Sequence, residues 1–116
     1  MKNEQFLNRL GYAVSGIAVA LRSERSIQTQ VFFAFAAAGL VLVLRPEPVW
    51  WALVGVMIAV VLAAELFNTA LENLADHLHP SIHPKIRIAK DCAAGAVLLL
   101  SAAAVWVAAW MLISEL

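Results

Sequence analysis

The chain has 116 residues, with eight Lys and Arg balanced by eight Asp and Glu; 63% of it is apolar and only 14% charged, and the mean hydropathy is +0.83. A soluble domain this small has too much surface for its volume to hide so much apolar side chain, so the remainder needs lipid. Zero formal charge gives no argument for a nucleic-acid partner, and the lone Cys92 excludes an intrachain disulfide or a structural zinc site of its own.

The first predicted element covers about residues 4–23. Phe6, Leu7, Leu10, Val14, Ile17 and Leu21 recur every three or four positions, while Lys2, Gln5, Asn8, Arg9, Ser15 and Arg22 fill the remainder. That pattern predicts an amphipathic helix lying on a membrane surface. A secretory signal peptide is the competing reading, but its longest apolar run, Ile17 to Leu21, is too short for an h-region. Next comes a transmembrane helix over about 27–44. Its unbroken apolar part is Val31 to Leu44, and Ile27 with the neutral Gln28, Thr29 and Gln30 extends it to spanning length. "RPEP", Arg45 to Pro48, follows as a tight turn whose prolines break the helix on either side.

A second span covers about 49–76. It is wholly apolar as far as Ala64 and then carries Glu65, Asn68, Thr69, Glu72 and Asp76. In "HLHPSIHPKIRIAKD", Pro80 and Pro84 stop one helix before another begins. The third span covers about 91–113. From Cys92 to Ile113 it has no charge, and Ser101 is its one polar side chain. Neither connection leaves room for a further domain. The expectation is one all-α integral membrane domain over residues 1–116, a surface helix followed by three transmembrane helices.

Lys2, Arg9, Arg22 and Arg25 precede the first span, and Lys85, Arg87 and Lys90 precede the third; the RPEP turn has only Arg45 and the C-terminal end no cation. By the positive-inside rule the N-terminus and the second loop are cytoplasmic and the C-terminus is outside. Trp50, Trp51, Trp106 and Trp110 then fall in one outer interfacial belt.

With that topology, Glu65 lies about 24 Å from the outer end of its helix, close to the cytoplasmic boundary of the hydrocarbon. At about 100° per residue, Glu65, Asn68, Thr69, Glu72 and Asp76 form one polar stripe. A carboxylate at this depth is costly unless it is paired or solvated in a cavity. The stripe is therefore either helix-packing glue or a site. Oxygen-only ligands suit a hard cation such as Mg²⁺, which also takes substrate phosphates. Lys90 and Asp91 of "IAKD" fall where the third span is expected to begin, and a helix N-terminus attracts anions. Carboxylates, a lysine and an adjacent membrane point to phosphoryl transfer at the lipid surface. His77, His79 and His83 lack a zinc spacing and read as loop residues that line a nucleotide pocket. No Walker A motif, kinase Gly-rich loop or Gly-x-Ser-x-Gly elbow is present.

"GYAVSGIAVALRSER", "AELFNTALENLAD" and "HPKIRIAKDCAAGAVLL" together resemble the small prokaryotic diacylglycerol kinase and undecaprenol kinase family, ungapped from about Gly11 to Leu100. The resemblance implies a homotrimer in the bacterial inner membrane, each chain with a surface helix and three spans. Active sites would lie at subunit boundaries on the cytoplasmic side, with ATP as co-substrate and Mg²⁺ as cofactor. Carried over by position, Glu65 matches the general base toward the lipid hydroxyl, and Asn68 an amide at the same centre. Glu24 and Glu72 match the magnesium carboxylates. Lys90 matches the phosphate-binding lysine with Asp91 its acidic neighbour, and Tyr12, Asp76 and His83 match positions near the nucleotide. Without the resemblance, Glu24 in "RSER" would read as one acid in a solvated charge cluster.

The departures lie at the lipid end. Val14, Ser15 and Leu21 stand where the enteric diacylglycerol kinase branch has tryptophans and a lysine, and Gln28 and Gln30 where it has an Arg and a Glu. The "SER" and "AKDCAAGAVLL" stretches are similar to the undecaprenol kinase branch, which favours a polyprenol acceptor over diacylglycerol. Two other classes compete with a lipid kinase. One is an ion or proton transporter subunit with Glu65 as relay, which leaves Glu24 and Lys90 without a task. The other is a non-catalytic protein whose stripe only packs helices.

Overall fold

A computed structural model describes the backbone of residues 2–116 and the side chains from Gln5 onward; Lys2, counted above in the charge bias, lies outside the described side chains. The chain folds into four helices, α1 (Lys2–Ser23), α2 (Arg25–Leu44), α3 (Pro48–Leu78) and α4 (Pro84–Glu115), with no strand among the described residues. Helices α2, α3 and α4 are each long and apolar enough to cross a bilayer. At 31 and 32 residues, α3 and α4 reach about 46–48 Å, well beyond the hydrocarbon thickness. They therefore carry polar turns past one membrane boundary.

A single residue separates α1 from α2. Glu24 adopts an extended conformation (φ −108°, ψ 114°), its N–H still donating to the Ala20 carbonyl at 2.9 Å and its own carbonyl accepting from the Gln28 N–H at 3.2 Å. The Gln28 side-chain amide donates back across the break to the Leu21 carbonyl at 2.9 Å and the Arg22 carbonyl at 3.4 Å. At the other end of α2, Arg45 takes the left-handed conformation (φ 47°, ψ 59°), and its N–H closes on the Val41 carbonyl. Pro48 opens α3, where its missing N–H costs nothing. The turn is tied down by the Trp51 indole N–H donating to the Pro46 carbonyl (3.0 Å) and by the Glu47 N–H donating to Glu115 Oε1 (3.2 Å).

The helix that carries the third expected span begins before residue 91. Helix α4 begins at Pro84, because proline is well suited to a first helical position and the His83 Nδ1 accepts the Lys85 N–H at 3.1 Å. Pro84 thus starts a helix and does not stop one. Lys90 and Asp91 fall in its second turn, past the free N–H groups of the helix end, so the expected anion site at a helix N-terminus does not fall on them. Cys92 likewise lies well inside α4 and is exposed on this chain.

Helix α3 packs chiefly on α4 and then on α2, while α1 lies against α2 and α3. The tightest packing is near the Arg45–Glu47 turn, where Val41, Val54 and Met111 meet, with Leu40, Trp50 and Val107 around them. In lipid this association draws on dispersion and interhelical polar contacts rather than on exclusion of water. Gln30 supplies such a contact, its amide donating to Ser101 Oγ at 3.3 Å. At the opposite end the helices carry the polar residues.

Candidate active site

On α3 the i, i+3, i+4 spacing brings Glu65, Asn68, Thr69 and Glu72 onto one face. Glu65 is 4% exposed and Thr69 8%, although neither is apolar. The Asn68 amide N–H donates to Glu72 Oε1 at 3.2 Å. Two oxygens beside that bond, Glu65 Oε2 and Asn68 Oδ1, are buried without a hydrogen-bond partner among the described residues. A buried polar atom left unpaired costs about 1–3 kcal/mol, and more when charged. Two of them one helical turn apart are better explained by a ligand or an incoming partner than by helix packing.

A second group sits where α3 and α4 run past the hydrophobic part. Lys90 donates to Asp76 Oδ1 across the two helices, and Arg87 pairs with Asp91 at 3.7 Å on the exposed surface of α4. Asp76, His83, Ile86, Arg87 and Lys90 line a shallow hollow of about 100 Å³ closed by the connecting loop. In that loop the His79 and His83 rings stack edge-to-face at 5.3 Å, and His79 Nδ1 bonds the Ser81 carbonyl at 2.9 Å. With Lys90 mostly covered and Asp76 largely exposed, the pair is partly screened.

Of the residues expected at a site, the structure therefore brings Glu65, Asn68 and Glu72 into one group. Lys90, Asp76 and His83 form a second, while Asp91 does not line that hollow and pairs with Arg87 on the exposed surface. Glu24 is half-buried at the α1–α2 break, and Tyr12 is 74% exposed along α1. Among the described residues, no hydrogen bond or ion pair joins either to the two groups. Two features were missed in the sequence. One is the Gln28 amide across the α1–α2 break, for which hydrophobic periodicity holds no signal. The other is a groove of about 630 Å³ between α1 and α3, walled by small residues such as Ala13, Gly16 and Ala20 and by Leu66, Phe67 and Ala70. Thr69 and Asn73 stand on the edge that it shares with the polar face of α3.

The donor chemistry can be tested against magnesium. Among the described residues, no three Asp, Glu, His or Cys side chains gather closely enough to hold a cation by themselves. Mg²⁺ commonly takes one or two carboxylates and fills its remaining positions with water and substrate phosphates. Glu72, with the unpaired Oδ1 of Asn68 one turn away, fits a cation carried in on phosphates, not one caged by protein.

Fold and site together define a small helical integral membrane protein with a buried acidic centre in the second half of α3. Residues 11–112 match the profile of the prokaryotic diacylglycerol kinase family, and the chain belongs to that family. A diacylglycerol kinase from Synechocystis sp. is 37% identical over 106 residues, an alignment covering 90% of this chain and 61% of that protein. An undecaprenol kinase from Bacillus subtilis is 32% identical over 96 residues, covering 80% of this chain and 76% of that one. The chain thus spans about three fifths of the length of the cyanobacterial relative. The family resemblance drawn from the three motifs holds.

Proposed function

We propose that this chain is an ATP- and Mg²⁺-dependent lipid kinase that phosphorylates the hydroxyl of a membrane lipid alcohol, with undecaprenol as the favoured acceptor and diacylglycerol as the alternative. The observation that carries this reading is the unpaired, buried Oε2 of Glu65 beside the unpaired Oδ1 of Asn68. A carboxylate oxygen unpaired among the described residues is available to take a proton from an incoming hydroxyl.

In the proposed reaction the lipid chain lies in the α1–α3 groove and its hydroxyl passes over Thr69 toward Glu65. Glu65 takes the hydroxyl proton, the lipid oxygen bonds to the γ-phosphorus, and the bond from that phosphorus to the β–γ bridging oxygen breaks to release ADP. Asn68, held by Glu72, orients the reacting group through its free Oδ1. Lys90 leaves Asp76 to bind phosphate oxygens, and Tyr12, His83 and Asp91 lie on the nucleotide side. Magnesium bound with ATP would neutralise charge on the phosphate oxygens, with Glu24 and Glu72 the residues to hold it. This assignment puts the site and the N-terminus in the cytoplasm, where ATP is.

The test is transfer of label from γ-labelled ATP in nanodiscs containing undecaprenol, diacylglycerol or no lipid alcohol. Labelled lipid is expected with an acceptor and Mg²⁺ present, more with undecaprenol than with diacylglycerol, and none with Glu65→Gln. Absence of labelled lipid from every wild-type lane would sink the kinase reading.

A further inference from the structure

The break between α1 and α2 is held in an unusual way. Its N-cap residue is Glu24, whose side chain makes no capping bond, although a residue in this position ordinarily uses its side-chain oxygen to satisfy the first free N–H groups. With Glu24 extended, the helical bonds that Arg25 and Ser26 would have made to the Leu21 and Arg22 carbonyls are missing. The Gln28 amide, reaching back from the first turn of α2, donates to both of those carbonyls, at 2.9 and 3.4 Å. On the other side, the Gln28 backbone N–H donates to the Glu24 carbonyl at 3.2 Å. One residue therefore closes the end of α1 with its side chain and the start of α2 with its backbone. The half-buried carboxylate between them is left free of local bonds.

We propose that Gln28 is a positioning residue for Glu24. By capping α1 it holds the extended backbone at residue 24, so that the Glu24 carboxylate is available to a cation instead of to its own helix. The proposal rests on the reading of Glu24 as a metal carboxylate. What the position demands is an N–H donor on a long side chain. Arginine at residue 28 meets that demand, whereas methionine keeps the length and loses the donor, and glutamate sets an acceptor against two carbonyls.

The experiment uses the full chain in nanodiscs with Cys92→Ala and spin labels at the exposed positions Val14 and Phe35, labelled chains being diluted with unlabelled ones. Two quantities are read for wild type, Gln28→Met, Gln28→Glu, Gln28→Arg and Glu24→Gln. One is the width of the α1–α2 distance distribution. The other is Mn²⁺ affinity in the presence of ATP, followed by the Mn²⁺ resonance. The Met and Glu variants are expected to broaden the distribution and to weaken Mn²⁺ by about fivefold, as loss of one net hydrogen bond would. Arginine should stay within about twofold of wild type in both. Glu24→Gln should weaken Mn²⁺ while leaving the distribution narrow.

Unchanged Mn²⁺ affinity in both the Met and Glu variants overturns the proposal, whether or not the helices move. So does an arginine variant as weak as the methionine one, or a wild-type affinity no better than that of Glu24→Gln. Labelled-lipid synthesis is scored separately. Its absence with these binding results intact counts against the kinase reading and not against the clasp.

Discussion

Glu65 is the side chain on which the proposed chemistry turns. Buried in α3 with one oxygen unpaired among the described residues, it is replaced by a side chain of the same shape in Glu65→Gln, which removes the proposed base. The expected outcome is a fall in kcat of at least about 100-fold with little change in thermal stability, read by labelled-lipid synthesis and by unfolding in detergent. A variant retaining full turnover would leave Glu65 as packing alone. The Lys90–Asp76 pair allows a finer test. Since Asp76 is largely exposed, breaking the pair should cost less than about 1 kcal/mol of stability. Lys90→Met should nevertheless raise KM for ATP at least about tenfold, because the task proposed for the lysine is toward phosphate. Equal small effects of Lys90→Met and Asp76→Asn on KM would instead mark the pair as a surface contact.

At the scale of elements, what governs this molecule is how its helices end. Three different devices are used: a glutamine side chain at the α1–α2 break, a left-handed arginine after α2, and a histidine cap before α4. Arg45 has a Cβ in a conformation that glycine adopts freely, so Arg45→Gly is expected to raise the unfolding midpoint, by up to about 1 kcal/mol of stability. A lowered midpoint would mean that the guanidinium outweighs the backbone strain. His83→Ala removes the acceptor for the Lys85 N–H and should cost about 1 kcal/mol locally. The measurement is amide exchange, expected to accelerate at Lys85 to Arg87 while the centre of α4 stays protected. Because that first turn borders the hollow with Asp76 and Lys90, the same variant should weaken ATP binding.

The whole chain buries little of its apolar surface on itself. Phe35, Val43, Phe67 and Leu98 are among many large side chains left open, and most of the apolar surface of α2, α3 and α4 stays uncovered by the chain itself. Hydrocarbon tails can cover those side chains, but they cannot satisfy Glu65 Oε2 or Asn68 Oδ1. A second copy of the chain, expected from the homotrimer that the resemblance implies, can cover the apolar side chains and leave the two oxygens to the proposed lipid hydroxyl and phosphates. Native mass spectrometry in mild detergent is expected to find three copies, with activity following the trimer and not a monomer fraction. A fully active monomer would count against shared sites. Within one chain, Gln30→Leu with Ser101→Ala should cost less than about 1.5 kcal/mol, since polar contacts between membrane helices average about 0.6 kcal/mol.

The sequence by itself determined the class of this protein. Long apolar runs, the Lys and Arg bias and the period of the surface helix are local properties of the chain, and a bilayer acts on each helix separately, so three spans and an amphipathic entry could be read without coordinates. The stripe from Glu65 to Asp76 was legible for the same reason, being one face of one helix. The full extent of α4 was not legible, because hydropathy marks where a helix leaves lipid and not where its hydrogen bonding starts; that was decided by Pro84 and the His83 cap. Only the tertiary structure decided which polar atoms meet. Nothing in the residue order pairs Lys90 with Asp76, joins Gln30 to Ser101, or opens a groove between α1 and α3 beside Thr69. Those contacts depend on how the helices cross and where they break, and at Glu24 the break itself is closed by a side chain four residues away.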